Sequence, residues 1–536
     1  MDERILAVVM GILFSIINAV VVVFLTLKAG ISVGLEIFFL FAAFAVFALL
    51  KNVRSRGFLY MVAIGTGSTG IVISYTEGLG AIMISGKPFD VPDPVMILLP
   101  LLSGIIGVLL SYYFTDYFLK ADFPWPGARV NSSLINLFSQ ENKNTSFRSS
   151  AVRMGTAGIL SGLVTSLKGF GIRPEILGSI NLGLSTSPMF AGIGMLIGTK
   201  ACLEIAGGAV ISLLIWIFLE GASTDYFTHM RNPWVFSTAI SMLVTTAVIS
   251  LYVVLRSSAG HKSKKAGANS LLRDGGNNIA FNSTFFKINN RTLLLTLAVI
   301  SASMLLYYFP GVPVLIFLVS LPISLLFMII ESRGRAETSM SVGISSFVII
   351  LLVGLAFSDI VPLLILEGFV LAMIFSFSLT FYVLKQAEFC NASSQGLIKM
   401  LLLGCFVGSV ICVPCIKFFN SIYGIGTELL PAPYSIMWLE MAQSAVTKVV
   451  PPSVNIFLIA AGALVALILY RKRISAITFS IGLILPFSTC ATIILGGLIA
   501  WCLEKKNYLK DDNGITASGL IAGDVLVNIL LSLRYL

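Results

Sequence analysis

Apolar runs long enough to cross a bilayer follow one another along this chain, and they constrain its architecture before any motif is read. Ile5 to Thr26 is the first. A bilayer core needs about 20 apolar residues per helix, and about sixteen runs approach that length. They lie near 5–26, 31–50, 58–85, 95–119, 151–167, 176–198, 201–219 and 234–255, then 292–309, 312–330, 340–357, 360–384, 397–416, 453–470, 474–502 and 516–534. Backbone polar groups cannot be left bare in lipid, so each run is expected as a helix unless protein shields a broken stretch. The expected fold class is an all-α integral membrane protein of about 16 helical segments, including broken or re-entrant ones, arranged as two repeat-related halves. Two runs, 58–85 and 474–502, are too long and too interrupted for one plain helix.

A chain of 536 residues that is 57% hydrophobic and 11% charged has no room for a soluble catalytic domain. Its net charge of +10 is largely topological. Arg256, Lys262, Lys264, Lys265, Arg273, Lys287 and Arg291 face the single acid Asp274 across the polar stretch 256–291. That stretch is expected as a cytoplasmic linker between a first transmembrane half, 1–255, and a second, 292–536. The basic segments 51–56 and 471–473 are expected on the same side. No aromatic-basic surface accompanies the charge, so a nucleic-acid partner is not expected. The start, "MDERILAVVMG", carries two acids and no small-residue cleavage site, and is read as a retained helix. Seven cysteines in apolar runs are expected as buried thiols. Cys412 and Cys415 have redox-motif spacing but no thioredoxin-like strand pattern around them.

The two groups of runs share more than number. "IGMLIGTKACLEIAGG" at 193–208 aligns with "IGLILPFSTCATIILGG" at 481–497 through a one-residue insertion, and "FPWPGARVNSSLINL" at 123–137 has a counterpart in "LPAPYSIMWLEMAQS" at 430–444. Pro124 and Pro126 bracket Trp125 as Pro431 and Pro433 bracket Ala432. Each pair stops helix and precedes an amphipathic segment. Repeats with discontinuous helices in corresponding places are how many secondary transporters build a central pathway.

Ionisable residues inside apolar runs mark function or pairing, since a carboxylate facing lipid is costly. "GTGSTG" at 65–70 lies in an apolar run rather than between a strand and a helix, so it is no dinucleotide fingerprint. It is either a close-packing stripe or a mid-membrane break that turns Ser68, Thr69, Ser74, Tyr75 and Glu77 toward a polar cavity. Glu77 favours the break. Glu367, eight residues into its run, could carry a coupling proton. Glu36 and Asp359 are further acids in or beside runs, while Asp116 and Arg153 can reach the interface. Lys200 and Glu204 are spaced for an ion pair on one helix face. The chain has no phosphate loop and no H-E-x-x-H, and His229 and His261 lie in loops, against an ATPase, a zinc protease or a histidine-based hydrolase. "LIAGD", ending at Asp524, lacks the preceding glycine of an intramembrane aspartyl protease motif.

The order of the proline-aromatic-proline segment, "STSPMFAGIGMLIG" at 185–198, "LLPAPYSIMWLEMAQSAV", "IGLILPFSTCATIILGGLIAW" and "ASGLIAGDVLVNILL" at 517–531 resembles the oligopeptide transporter family, as does "VMGILFSIINAVVVVFLTLKAGISVG". The resemblance spans nearly the whole chain and fits a prokaryotic-type member. It implies about sixteen helical segments formed by duplication, and proton-coupled uptake of small peptides or metal-chelate complexes. The sequence departs from the family where Arg129 stands at a position that usually holds a small residue. The expected function is a secondary transporter in the cell membrane, multi-pass, without a cofactor, metal or enzymatic activity. Its partners would be substrate, protons and membrane lipid, with homo-oligomerisation left open. A passive channel or an intramembrane enzyme are the alternatives. The expected pathway residues are Tyr75, Glu77, Trp125, Arg129, Ser187, Lys200, Glu204, Asp359 and Glu367, with Glu77 and Glu367 carrying the proton. Broken helices offer positive N-terminal ends to substrate carboxylates, and Arg129 or Lys200 could add formal charge.

Overall fold

The computed structural model describes residues 3–29, 40, 55–88, 90–121, 123–139, 145–167, 175–177, 182–221, 226–259, 290–341, 347–427, 430–505 and 513–533. Glu36, most of the run at 31–50, and all of the central linker except its ends lie outside these residues. Helices α1 (Glu3–Ala29), α2 (Ser55–Ser85), α3 (Asp93–Ser111), α4 (Thr115–Lys120), α5 (Pro126–Phe138), α6 (Thr145–Ser166), α7 (Met189–Phe218), α8 (Tyr226–Met230) and α9 (Pro233–Ala259) precede the linker. After it come α10 (Asn290–Leu306), α11 (Val314–Thr338), α12 (Phe347–Gly354), α13 (Ile360–Phe389), α14 (Leu397–Tyr423) and α15 (Pro433–Thr447). The chain closes with α16 (Ile456–Arg471), α17 (Ala476–Ile484), α18 (Phe487–Lys505) and α19 (Asn513–Leu533). A two-stranded antiparallel ribbon, Glu175–Leu177 with Leu182–Gly183, replaces the first part of the expected helix at 176–198. Among the described residues, nine helices are long and apolar enough to cross a membrane. The protein is an all-α integral membrane protein.

Two buried helices form the axis of one packing unit. The apolar stretch of α2 is wholly buried and that of α13 nearly so. They run antiparallel: Lys87, just past α2, pairs with Asp359 at the start of α13 at 2.6 Å, while Arg56 in the first turn of α2 donates to the Gln395 carbonyl beyond the end of α13 at 3.0 Å. Helices α1, α14 and α15 pack around α2, and α3 and α11 pack around α13. In a second unit α7 packs on α17, α18 and α19, α6 on α19, and α9 on α16.

The run at 58–85 is not broken. It is one helix of 31 residues, and "GTGSTG" serves close approach within it. A Cβ on Gly67 would collide with the Leu401 carbonyl of α14, and one on Gly78 would stand 3.0 Å from the Leu364 carbonyl of α13. The hydroxyls of Thr69 and Ser74 turn back onto the carbonyls of Gly65 and Gly70 at 3.0 and 2.7 Å, the usual resort of hydroxyls in an apolar helix. The run at 474–502 does break, at Leu485 and Pro486 between α17 and α18, as proline requires.

The repeat is carried by contact geometry. Gly194 lies against the Ile493 carbonyl and Gly482 against that of Ile205. Gly208 lies against the Phe479 carbonyl and Gly496 against that of Ala191. Cys202 donates its thiol to the Gly194 carbonyl at 3.5 Å, and Cys490 donates to that of Gly482 at 3.7 Å. One constant offset in numbering carries each contact to its counterpart, so the insertion expected within this repeat is not needed up to Gly496. The same offset maps Gly198, where α7 departs from helical geometry at φ 83°, onto Pro486. The proline segments repeat in the same spirit. Trp125 (φ 44°, ψ 55°) and Ala432 (φ 43°, ψ 58°) share a left-handed backbone and begin a helix with proline at its first position. Each donates its N–H to the last turn of a spanning helix, Trp125 to the Ala336 carbonyl at 2.8 Å and Ala432 to that of Leu27 at 2.7 Å. The two breaks lie on opposite faces. Arg129 beside Trp125 covers Phe389 at the end of α13. Leu27 and Ser435 meet Gly80 near the end of α2.

Candidate functional site

Where α2, α13 and α15 meet beside the end of α10, four side chains gather that apolar packing alone would not retain. Glu77 of α2 is buried, and its Oε2 accepts a 2.9 Å hydrogen bond from the Trp438 indole of α15. Glu367 of α13 is also buried, and neither of its carboxylate oxygens has a hydrogen-bond partner among the described residues. Oε2 of Glu367 lies 2.8 Å from where a Cβ on Gly78 would stand, so the glycine after Glu77 leaves the space that the second carboxylate occupies. The two acids are in electrostatic reach of one another. Tyr75 and Tyr307, both buried, lie within electrostatic reach of Glu367, and neither hydroxyl has a partner among the described residues. Tyr307 is held edge-on to Phe369 at 5.2 Å and tilted on Phe317 at 4.9 Å.

An unpartnered carboxyl in an apolar surround is costly as an anion. Glu77, anchored by one donor, and Glu367, anchored by none, are therefore unequal proton acceptors on helices from opposite halves of the chain. Such a pair is chemically suited to holding and exchanging one proton.

Ser187 stands at the start of the broken helix α7 and donates to the buried carboxylate of Asp524 in α19, whose other oxygen accepts from Thr165 of α6. Nearby, the Ser185 N–H donates to Thr492 of α18 at 2.8 Å. Asp524 thus gathers three helices at the entrance of α7, as expected of a motif that lacks the preceding glycine of an intramembrane aspartyl protease.

Trp125 and Arg129 serve the turn. The Trp125 side chain is fully buried. Arg129 donates from Nε to the Pro124 carbonyl at 2.7 Å and covers the Phe389 ring at 5.0 Å, so its charge is spent locally at an exposed edge. Asp359 lies at the opposite face, half exposed, and the Lys87 hydrogen bond holds its carboxyl below the usual carboxylate range. These positions stand apart from the carboxylate cluster.

Lys200 and Glu204 line a different space, a cavity of about 670 Å³ between α7, α9, α11, α16 and α17, which Pro124 also borders. Lys200 Nζ donates to the Arg473 carbonyl at 2.8 Å and lies 4.0 Å from Glu204. Glu204 accepts from the Ser475 N–H at 3.1 Å. Deeper in, Glu337 is gripped by Arg333 at 2.6 Å, by Ser475 Oγ at 2.5 Å and by Thr478 Oγ1 at 2.8 Å, and Arg333 reaches Ser250 at 2.8 Å. The sequence reading missed Trp438, Tyr307, Arg333, Glu337 and Arg473. "ESRGRAE" at 331–337, with acids and arginines four apart, carried a readable signal for Arg333 and Glu337. An aromatic residue among apolar neighbours carries none. Among the described residues no group of three or more His, Cys, Asp or Glu side chains gathers as a metal site, and all seven cysteines are free thiols.

Comparison with known proteins places this geometry in context. The family model for the OPT oligopeptide transporter protein matches residues 5–534. A curated protein of Haemophilus influenzae with the printed name "Putative oligopeptide transporter" is 23% identical over 160 residues, covering 25% of this chain and 25% of that protein. The chain thus spans about a quarter of the length of the curated relative it matches.

Proposed function

The chain belongs to the OPT oligopeptide transporter family, and from that premise we propose that it is a secondary transporter that takes up small peptides, coupled to protons, across the cell membrane. Metal-chelate complexes are the second substrate class in this reading. Glu77 and Glu367 carry the proton. The observation that carries the proposal is the Glu77–Glu367 pair itself: two buried carboxylates from two halves of the chain, one held by an indole and one unpartnered among the described residues, on the two helices that form the axis of a packing unit. A passive channel does not require such a pair. The two packing units, one around α2 and α13 and the other around α7, each drawing helices from both 1–255 and 292–536, would exchange access by rocking against each other, with the basic face of Arg56, Arg471 and Arg473 toward the cytoplasm. Tyr75, Ser187, Lys200 and Glu204 belong to the pathway in this reading. Trp125 and Arg129 shape the turn at its rim, and Asp359 guards the opposite rim.

Reconstitution into proteoliposomes tests it. Labelled tripeptide and labelled iron chelate are offered with and without an inward proton gradient. Saturable uptake of one of them that rises with the gradient, and that falls at least ten-fold in Glu367→Gln, is expected. Uptake that ignores the gradient, or none of either substrate, overturns the proposal.

A further inference from the structure

The cavity beside Lys200 has an unusual rim. Helix α16 ends in a Schellman motif: the Ile474 N–H returns to the Leu469 carbonyl at 3.0 Å and the Arg473 N–H to that of Tyr470 at 3.1 Å. The residue that turns left-handed in such a motif is ordinarily glycine, because a side chain there is strained. Here it is Arg473, at φ 58°. Its backbone carbonyl receives Lys200 Nζ, and Arg473 and Arg471 are both among the residues that line the cavity. A basic residue could satisfy a preference for positive charge on this face at any neighbouring position. Lys448 closes α15 in the same way at φ 59°, so the strained place alone marks nothing, and the reason to single out Arg473 lies in the cavity it lines.

Charge balance supplies that reason. Of the two carboxylates in the cavity, Glu337 is fully engaged by Arg333, Ser475 and Thr478, and Glu204 accepts from the first N–H at the start of α17. Arg471 and Arg473 pair with no carboxylate among the described residues. The cavity therefore carries surplus positive charge at its mouth, and the Glu204 contact shows that a carboxylate fits the start of α17. Guanidinium groups match a carboxylate in a two-pronged geometry that lysine cannot reproduce.

We propose that the cavity of about 670 Å³ bounded by Lys200, Arg471 and Arg473 is the subsite for the free carboxylate end of the transported substrate, with Arg473 as its main recognition residue. This rests on the peptide-transport reading and adds which end of the peptide is recognised at this face, and by what. Ile197 and Lys200, on either side of the α7 break at Gly198, and Ala476 at the start of α17 line the same space, so an inbound substrate leaving the paired broken helices would have its carboxylate held at this rim before release.

The full chain in nanodiscs of neutral lipid tests it with trialanine and its C-terminal amide as probes. Wild type is expected to bind the free acid about ten-fold or more tightly than the amide. Arg473→Gly, which suits the left-handed backbone and so keeps the turn, is expected to abolish that preference with an unchanged or raised melting temperature. Arg473→Lys is expected to retain part of the preference. Equal binding of acid and amide, no binding of either, an unchanged preference in Arg473→Gly, or stabilisation by phosphatidylglycerol with none by trialanine overturns the subsite. Gradient-driven uptake of trialanine that Arg473→Gly leaves intact would overturn the subsite and leave the transport reading standing, whereas absent uptake in wild type would overturn the transport reading.

Discussion

The Cα of Gly194 lies against the backbone carbonyl of Ile493 so closely that a methyl group on it would overlap the oxygen. Its counterpart, Gly482, lies in the same way against the carbonyl of Ile205. With no hydrophobic force between helices in lipid, close backbone approach at small residues is what binds them, so this pair of contacts is a close-packed seam between repeated elements.

Gly194→Ala and Gly482→Ala are therefore expected to be comparably destabilising, by about 1–3 kcal/mol each, because the neighbour that must move is backbone. Gly65, where a Cβ would meet nothing within 4 Å, is the control. Gly65→Ala is expected to be neutral or stabilising by up to about 1 kcal/mol through helix propensity. Melting temperatures in one detergent decide this, and equal behaviour of all three variants would remove the glycine contacts from the account.

The Trp438–Glu77 bond crosses from the second half of the chain to the first at 2.9 Å. Trp438→Phe keeps the ring and removes the donor. It is expected to lower stability by about 1–3 kcal/mol through the unpaired buried carboxylate, and to lower gradient-driven uptake several-fold. Glu77→Gln in the same background is expected to restore stability but not uptake. Restoration of both would show that Glu77 only packs.

Much of this arrangement was legible in the sequence, and the failures have physical reasons. Glu77 and Glu367 stand out because a lone acid among apolar residues has few structural excuses. The broken run at 474–502 was readable from Pro486, which cannot donate to a helix. "GTGSTG" was misread as a break because glycine loosens a helix in water yet permits close contact in lipid, and the sequence does not say which neighbour will use the gap. Trp438 and Tyr307 were invisible, since their partners lie far away in the chain. Asp524 was read through its local motif, while its roles come from Ser187 and Thr165, more than three hundred residues distant.

Trp125 and Ala432 share one backbone conformation and differ in side chain, which separates strain from packing. Ala432→Gly relieves about 1 kcal/mol of left-handed strain but loses a buried methyl and restrains the unfolded chain less, so it is expected to be near neutral. Trp125→Gly relieves the same strain and empties a fully buried indole site, and it is expected to cost about 3–5 kcal/mol. Thermal melts of both variants test this. Equal destabilisation would mean that the left-handed turns themselves are unequal.

His229 gives the fold a pH dependence whose sign can be worked out. Its ring stacks on Trp216 at 4.2 Å, with Nε2 2.9 Å from Ser212 Oγ and Nδ1 2.8 Å from Glu220 Oε1. Burial pushes the imidazole pKa below its ordinary 6.5, and the Glu220 hydrogen bond opposes that shift without overcoming it. The folded protein then binds protons less readily than the unfolded chain. The neutral ring's contribution is complete above about pH 6.5 and is lost as pH falls below it toward the folded value. The melting temperature of wild type is expected to decline between pH 7 and pH 5, with a shallower decline in His229→Gln, whose amide cannot charge. A wild-type melting temperature that rises on acidification would mean that attraction to Glu220 outweighs burial, and the sign would reverse.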